Sequence, residues 1–263
     1  MAKQIKFYID ADVYTEAKKR IHHTLDIFDD LLVCFSGGKD SLVVLNLVGE
    51  VFKERGITKK IKVVFRDEEI IPDDVINFVQ HIAESGKYDF RYYAVPLQSE
   101  KFILGKTYKY VQWDRNRKHL RRPPSYAITL AEDDYRVFEQ HAMDEFCAKD
   151  CRGKVALLTG IRAEESLTRL QSCVSKKNEN YICASNNARI KLVKPIYDWT
   201  EQDVFLYFYK NNIAYCPLYD AQMLNNEGLR VATPLIANSA KTFEKIKTRY
   251  PLFYEQILEL FPK

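Results

Sequence analysis

The chain has 263 residues, 46% hydrophobic and 29% charged, the proportions of an ordinary globular protein long enough to bury roughly three quarters of its unfolded surface. Its net charge of +4 is too small to imply nucleic acid unless the basic residues cluster. No apolar run reaches the roughly 18 residues that cross a membrane, and Met1–Lys6 has no apolar signal core, so a cytoplasmic, membrane-free protein is expected.

Asp12 to Phe28 sets Val13, Ala17, Ile21, Leu25 and Phe28 at helical spacing. Leu31 to Phe35 is an apolar run too short for a helix and reads as a buried strand. It enters the glycine turn Ser36-Gly37-Gly38-Lys39-Asp40-Ser41, then a helix over Ser41 to Phe52 that stops near Gly56. Further strands are expected at Ile61–Phe65, Arg91–Val95 and Val155–Thr159, and helices after Pro72 and over 132–148. The remainder reads as helical, over Thr200–Lys210, Pro217–Leu224 and Lys241–Phe261. Strands alternating with helices imply an α/β fold, a parallel sheet covered on both faces, with residues 1–200 as the α/β domain and 201–263 as a helical layer packed on it.

Right-handed crossovers put the loops after successive strands along one edge of such a sheet. Three loaded segments are therefore expected to meet there: Ser36–Ser41, Arg66-Asp67-Glu68-Glu69 and Gly160-Ile161-Arg162. Two glycines between a strand and a helix let a phosphate approach successive backbone N–H groups, at the positive end of the helix dipole. Lys39 adds a cation, Ser36 and Ser41 add hydroxyls, and Asp40 makes sense beside phosphates as a holder of Mg²⁺. The loop is not a Walker A motif, because Asp follows Gly-Lys and the upstream glycine is absent.

Ser36–Ser41 resembles the pyrophosphate-binding loop of the adenine nucleotide α-hydrolase superfamily, whose fold is Rossmann-like. Three segments resemble its phosphoadenosine phosphosulfate (PAPS) reductase branch: Arg66–Asp73; Gly160-Ile161-Arg162-Ala163-Glu164-Glu165-Ser166 with Arg169; and Lys194–Val204 followed by Tyr215–Asp220. The resemblance spans most of residues 30–225 and implies that ATP or PAPS binds through Ser36, Gly37, Gly38, Lys39, Asp40, Ser41, Arg66, Asp67, Gly160, Arg162, Glu165 and Arg169. It also implies that Lys39, Asp40 and Arg162 act in catalysis. Guanidinium groups suit phosphate or sulfate, which they bind bidentately.

PAPS reductases use a cysteine in a C-terminal Glu-Cys-Gly motif, and this sequence has no cysteine after Cys216. ATP cleavage between the α- and β-phosphates, adenylating an acceptor, is therefore the leading expectation. A sulfonucleotide reductase using Cys216 or an external thiol, and a regulator without turnover, are the alternatives. Cys147, Cys151, Cys173 and Cys183 would either hold Zn²⁺ or an iron–sulfur cluster or be four unrelated thiols.

The stretch 106–124, within a basic insertion over 98–130, carries seven Lys or Arg against one Asp, with Tyr108, Tyr110 and Trp113 interleaved. Arg115, Arg117, Lys118, Arg121 and Arg122 would contact nucleic acid or a large phosphorylated substrate, cover the nucleotide as a lid, or be solvated. A similar basic, Trp-rich region occurs in the IbrA-like group related to PAPS reductases, which this chain resembles most and which is linked to phage and mobile elements. That resemblance implies a ParB/sulfiredoxin-like protein partner.

Overall fold

A computed structural model describes residues 9–103, 106–174, 179–231 and 240–260. The side chains of Lys106, Thr107 and Tyr108, the Met1–Lys6 stretch and Phe261 lie outside the described residues. Helix α1 (Val13–Ile27) is capped by Asp12, whose carboxylate accepts from the Thr15 N–H at 2.8 Å. There follow β1 (Asp30–Cys34), α2 (Lys39–Glu54), β2 (Lys62–Arg66), α3 (Asp73–Glu84) and β3 (Asp89–Tyr93), the alternation that the apolar periodicities imply.

β6 (Val155–Leu158) follows a hairpin, β4 (Leu97–Ile103) with β5 (Lys106–Gln112), and the short α4 (Gln140–Cys147). After α5 (Leu167–Val174), β7 (Ile182–Ala184) and β8 (Ile190–Val193) complete a six-stranded sheet in the order β3-β2-β1-β6-β8-β7. β7 runs antiparallel at the edge, and the other neighbouring strands are parallel. The chain ends in α6 (Glu201–Asn211), α7 (Leu218–Leu224), α8 (Ala240–Arg249) and α9 (Pro251–Leu260).

The sheet buries both faces, as a parallel sheet must. On one side Val33, Val63 and Leu158 pack with α2, α3 and α6, and on the other Leu32, Val64 and Leu157 pack with Met143 and Cys147 of α4. The expected α/β fold is present, with α5, β7 and β8 not expected and β7 antiparallel, and with further departures. The helix expected over 132–148 begins only at Gln140, because Asp134 folds back to accept from the Arg136 N–H at 3.1 Å and Phe138 bridges to Leu97. The helix expected from Lys241 divides at Pro251, which lacks the N–H that would continue α8 and instead starts α9. The basic insertion is partly a hairpin rather than a loop. Among the described residues no helix is long and apolar enough to cross a membrane.

Strand order reverses between β1 and β6, so the crossovers from these two neighbours leave in opposite directions and open a crevice beyond their carboxyl ends.

Candidate functional site

That crevice is a cleft of about 320 Å³, lined from the β1 side by Cys34, Ser36, Gly38, Asp40 and Ser41 and from the β6 side by Thr159, Gly160, Ile161, Glu165 and Arg169. Its far wall is Tyr219 of α7 with Leu229, Arg230 and Val231.

The glycines have separate tasks. Gly37 has φ +77°, and a Cβ there would meet Val75 and Val79 of α3 at 2.9 and 2.8 Å, so the turn needs both the left-handed backbone and the missing side chain. At Gly160 a Cβ would lie 2.5 Å from the Asp40 carbonyl carbon and the Ser41 nitrogen. This glycine lets the β6 loop press backbone to backbone on the start of α2.

No side chain caps α2 at Gly38. The loop's N–H groups are instead held by its own hydroxyls and one visitor. Ser36 N–H donates to Ser41 Oγ at 3.1 Å, Gly38 N–H to Ser36 Oγ at 3.4 Å, and Lys39 N–H to the Tyr219 hydroxyl at 2.9 Å. Three oxygens thus stand where an anion's oxygens would be welcome, at the positive end of α2.

Lys39 and Arg162, both expected to face a ligand, are each 3% exposed and are not among the residues lining the cleft. Both reach Asp40: Arg162 Nε donates to Oδ1 at 2.6 Å and Lys39 Nζ to Oδ2 at 3.1 Å. Lys39 Nζ also donates to the Leu229 carbonyl at 3.1 Å and lies 3.4 Å from Glu201, and Arg162 pairs with Glu164 at 3.0 Å. Asp40 is thereby fixed at the cleft wall by two cations. The guanidinium groups that do line the cleft belong to Arg169, paired with Glu165, and to Arg230, which no sequence motif marks. Glu165 also accepts from the Arg162 N–H at 3.0 Å, closing the turn Ala163–Glu165.

The third expected segment does not reach the cleft. Arg66 pairs with Asp144. Asp67 is 3% exposed and takes Arg121, the Tyr92 hydroxyl (2.6 Å) and the Glu69 N–H (2.8 Å). Glu69, fully buried, takes Arg117 through two bonds of 2.7 and 2.5 Å, plus the N–H groups of Trp113 (2.6 Å) and Leu120 (3.1 Å). Two buried carboxylates would be costly alone, and the basic insertion supplies their countercharges. Burial still raises the Asp67 pKa against the pull of Arg121.

Of the five basic residues, Arg117 and Arg121 pair with Glu69 and Asp67 inside the protein. Arg115 donates to the carbonyls of Ala131 and Glu132, and Lys118 and Arg122 are exposed.

The cysteines separate too. Cys147 and Cys151 lie with the α4 face of the sheet, while Cys183 donates to the Ser172 carbonyl at 3.5 Å near Cys173. Among the described residues no three His, Cys, Asp or Glu side chains gather as a metal site. Cys216 is 1% exposed, and burial pushes its thiol up to about 11. The thiol on the cleft is Cys34, also pushed up to about 11 by burial.

A model of the phosphoadenosine phosphosulfate reductase domain matches residues 30–251. Two curated proteins are each 29% identical. The uncharacterized protein YbdN of Escherichia coli aligns over 232 residues, 82% of this chain and 56% of its own length. The uncharacterized protein MJ0973 of Methanocaldococcus jannaschii aligns over 193 residues, 71% of this chain and 37% of its own. The chain thus spans about half the length of the first and little more than a third of the second. In fold it is similar to the FMN adenylyltransferase of Candida glabrata in complex with FMN and the ATP analogue AMPCPP, at TM-score 0.51 and 15% identity over 82% of this chain and 65% of that one.

Proposed function

The chain belongs to the phosphoadenosine phosphosulfate reductase domain family, and from that premise we propose that its cleft binds ATP and transfers the adenylyl group to an acceptor. The bond from the α-phosphorus to the bridging β-oxygen breaks, a bond from the acceptor oxygen to the α-phosphorus forms, and pyrophosphate leaves with the bridging electrons. The observation that carries this reading is the glycine loop, with the N–H groups of Ser36, Gly38 and Lys39 bonded to hydroxyls at the uncapped start of α2.

In this reading those N–H groups exchange hydroxyl oxygens for phosphate oxygens when the nucleotide binds, and then stabilise the leaving pyrophosphate. Arg162 and Lys39 hold Asp40 at the cleft wall. The donor set of the Asp40 carboxylate, two serine hydroxyls and the nucleotide's own phosphates fits a Mg²⁺ that keeps several waters, with Asp40 as its protein ligand. When bound, the metal would supply charge neutralisation at the phosphates. The solved adenylyltransferase with a similar fold has a second structure in complex with FAD and inorganic pyrophosphate, which supports the reaction class.

Incubation with ATP and Mg²⁺ should release pyrophosphate and leave the adenylyl group on an acceptor or on water, and Lys39→Ala should lose this activity. Production of ADP and phosphate, or no turnover with any acceptor class tried, would contradict the proposal.

A further inference from the structure

The thiols of Cys173 and Cys183 come from different elements, the end of α5 and the edge strand β7, and meet at one backbone carbonyl. Cys183, partly exposed, donates to the Ser172 carbonyl at 3.5 Å, and Cys173, 2% exposed, is the next residue along α5. A carbonyl oxygen lies about 2.8 Å from the following Cα, which puts the Cys183 sulfur within roughly 6 Å of the Cys173 Cα, a gap that side-chain rotation can close. Neither residue lines the nucleotide cleft.

The third member of the group is Lys194, which follows β8 and is 4% exposed. Its ammonium is held by the Ser172 hydroxyl at 2.6 Å, and among the described residues no carboxylate lies within ion-pair distance of it. A buried ammonium without an anion is costly, and the thiol beside Ser172 can supply one. Burial raises the Cys173 thiol, Lys194 and a hydrogen bond with Ser172 pull it back, and Cys183 and Asp198 push it up again. A partly exposed thiol thus stands beside a buried one whose thiolate finds a cation already in place.

We infer that Cys173 and Cys183 are a modification site for hydroperoxides, closing into a reversible disulfide, with Lys194 as the positioning residue that holds the Cys173 thiolate. The Cys183 thiolate attacks one peroxide oxygen, the S–O bond forming as the O–O bond breaks, and the leaving hydroxide takes a proton as water. The Cys173 thiolate then attacks the Cys183 sulfur, the S–S bond forming as the S–O bond breaks, and the second oxygen leaves as water. Two thiols give up two electrons and two protons, and one peroxide becomes two waters. The bridge ties the end of α5 to the edge of the sheet, and it stands whether or not the cleft adenylates an acceptor.

The test is peptide mapping of the full chain, reduced, freed of reductant under argon and treated with one equivalent of hydrogen peroxide. The product is alkylated with iodoacetamide in denaturant and cut with trypsin without reduction. Trypsin cuts after Arg169, Lys176, Lys177 and Arg189, so the two thiols fall on different peptides, Leu170–Lys176 and Asn178–Arg189. These should appear joined, and dithiothreitol should separate them. Cys173→Ser should stop at a Cys183 sulfenic acid that dimedone labels, and Cys183→Ser should leave Cys173 unlabelled.

Lys194→Met or, should that fail to fold, Lys194→Gln should slow joining about tenfold, the effect of about one pKa unit at the attacking thiol, with the Cys183 sulfenic acid accumulating. Lys194→Arg should recover part of the rate. Separate peptides in the oxidised wild type, or either thiol joined instead to Cys34, Cys147, Cys151 or Cys216, would overturn the pairing. Joining at an unchanged rate without the Lys194 ammonium would overturn its role.

Discussion

Replacing Gly160 by alanine tests whether the contact between the two cleft loops sets the geometry of the site. The new Cβ would sit 2.5 Å from the Asp40 carbonyl carbon and Ser41 nitrogen and 2.8 Å from the Asp40 carbonyl oxygen, all backbone atoms that cannot rotate away. Restoring ordinary contact at 3.4 Å needs a displacement of about 0.9 Å at the start of α2. Overpacking of this kind costs about 1–3 kcal/mol of stability. A misplacement of about 1 Å at a reacting centre costs on the order of 100-fold in rate.

Gly160→Ala is therefore expected to remain folded, with a lowered melting temperature, and to lose about 100-fold in ATP turnover. Gly153→Ala is the matched control, since its Cβ would collide with the Asp29 side chain at 2.1 Å at a glycine of φ +58°, away from the cleft. Circular dichroism melting and titration with ATP would be run on both. ATP binding and turnover by Gly160→Ala within about threefold of wild type, or an equal loss in Gly153→Ala, would refute the reasoning.

Arg121→Met should lower the unfolding free energy by about 3–5 kcal/mol, because it strands the buried Asp67 charge. The folded-state pKa of Asp67 is raised, so native stability falls as pH rises through that value, and the deficit should be smaller near about pH 5 than near about pH 8. Urea unfolding at both values checks this, and a deficit that does not change with pH would speak against an uncompensated Asp67. With its thiol pushed up to about 11, Cys34 should be about one part in a thousand thiolate near pH 8. Its alkylation by iodoacetamide should quicken about tenfold per pH unit and slow with ATP, as read by peptide mass mapping; fast labelling near neutrality, indifferent to ATP, would be the contrary result. Tyr219→Phe removes the acceptor of the Lys39 N–H and should cost about 1 kcal/mol without ligand and less with saturating ATP. An undiminished deficit under ATP would mean that phosphate does not take the hydroxyl's place.

The strand–glycine–helix unit at Leu31–Phe52 was legible in the sequence because everything that shapes it is local: an apolar run, two glycines and a helical stripe. So was the start of α6, where Thr200 and Asp203 cap one another as their spacing implies. The basic insertion was not legible, because a run of arginines reads the same whether it meets solvent or buried acids. Arg117 and Arg121 find theirs 48 and 54 residues away. The burial of Lys39 was not legible for the same reason, since Leu229, which draws its ammonium under the cleft wall, lies 190 residues along the chain. The four-residue β8, Ile-Lys-Leu-Val, has no alternation and was not legible as a strand, and Arg230 left no trace either. Its placement depends on one buried amide, and no composition or periodicity announces a Gln222 that clasps a backbone eight residues on.

The most direct measurement of the central claim is a crystal structure with a non-hydrolysable ATP analogue and Mg²⁺. The account predicts phosphate oxygens on the N–H groups of Gly38 and Lys39 and the Tyr219 hydroxyl moved off Lys39. A nucleotide bound outside this cleft, or one in it with the Tyr219–Lys39 bond intact and the loop's N–H groups untouched, would contradict it.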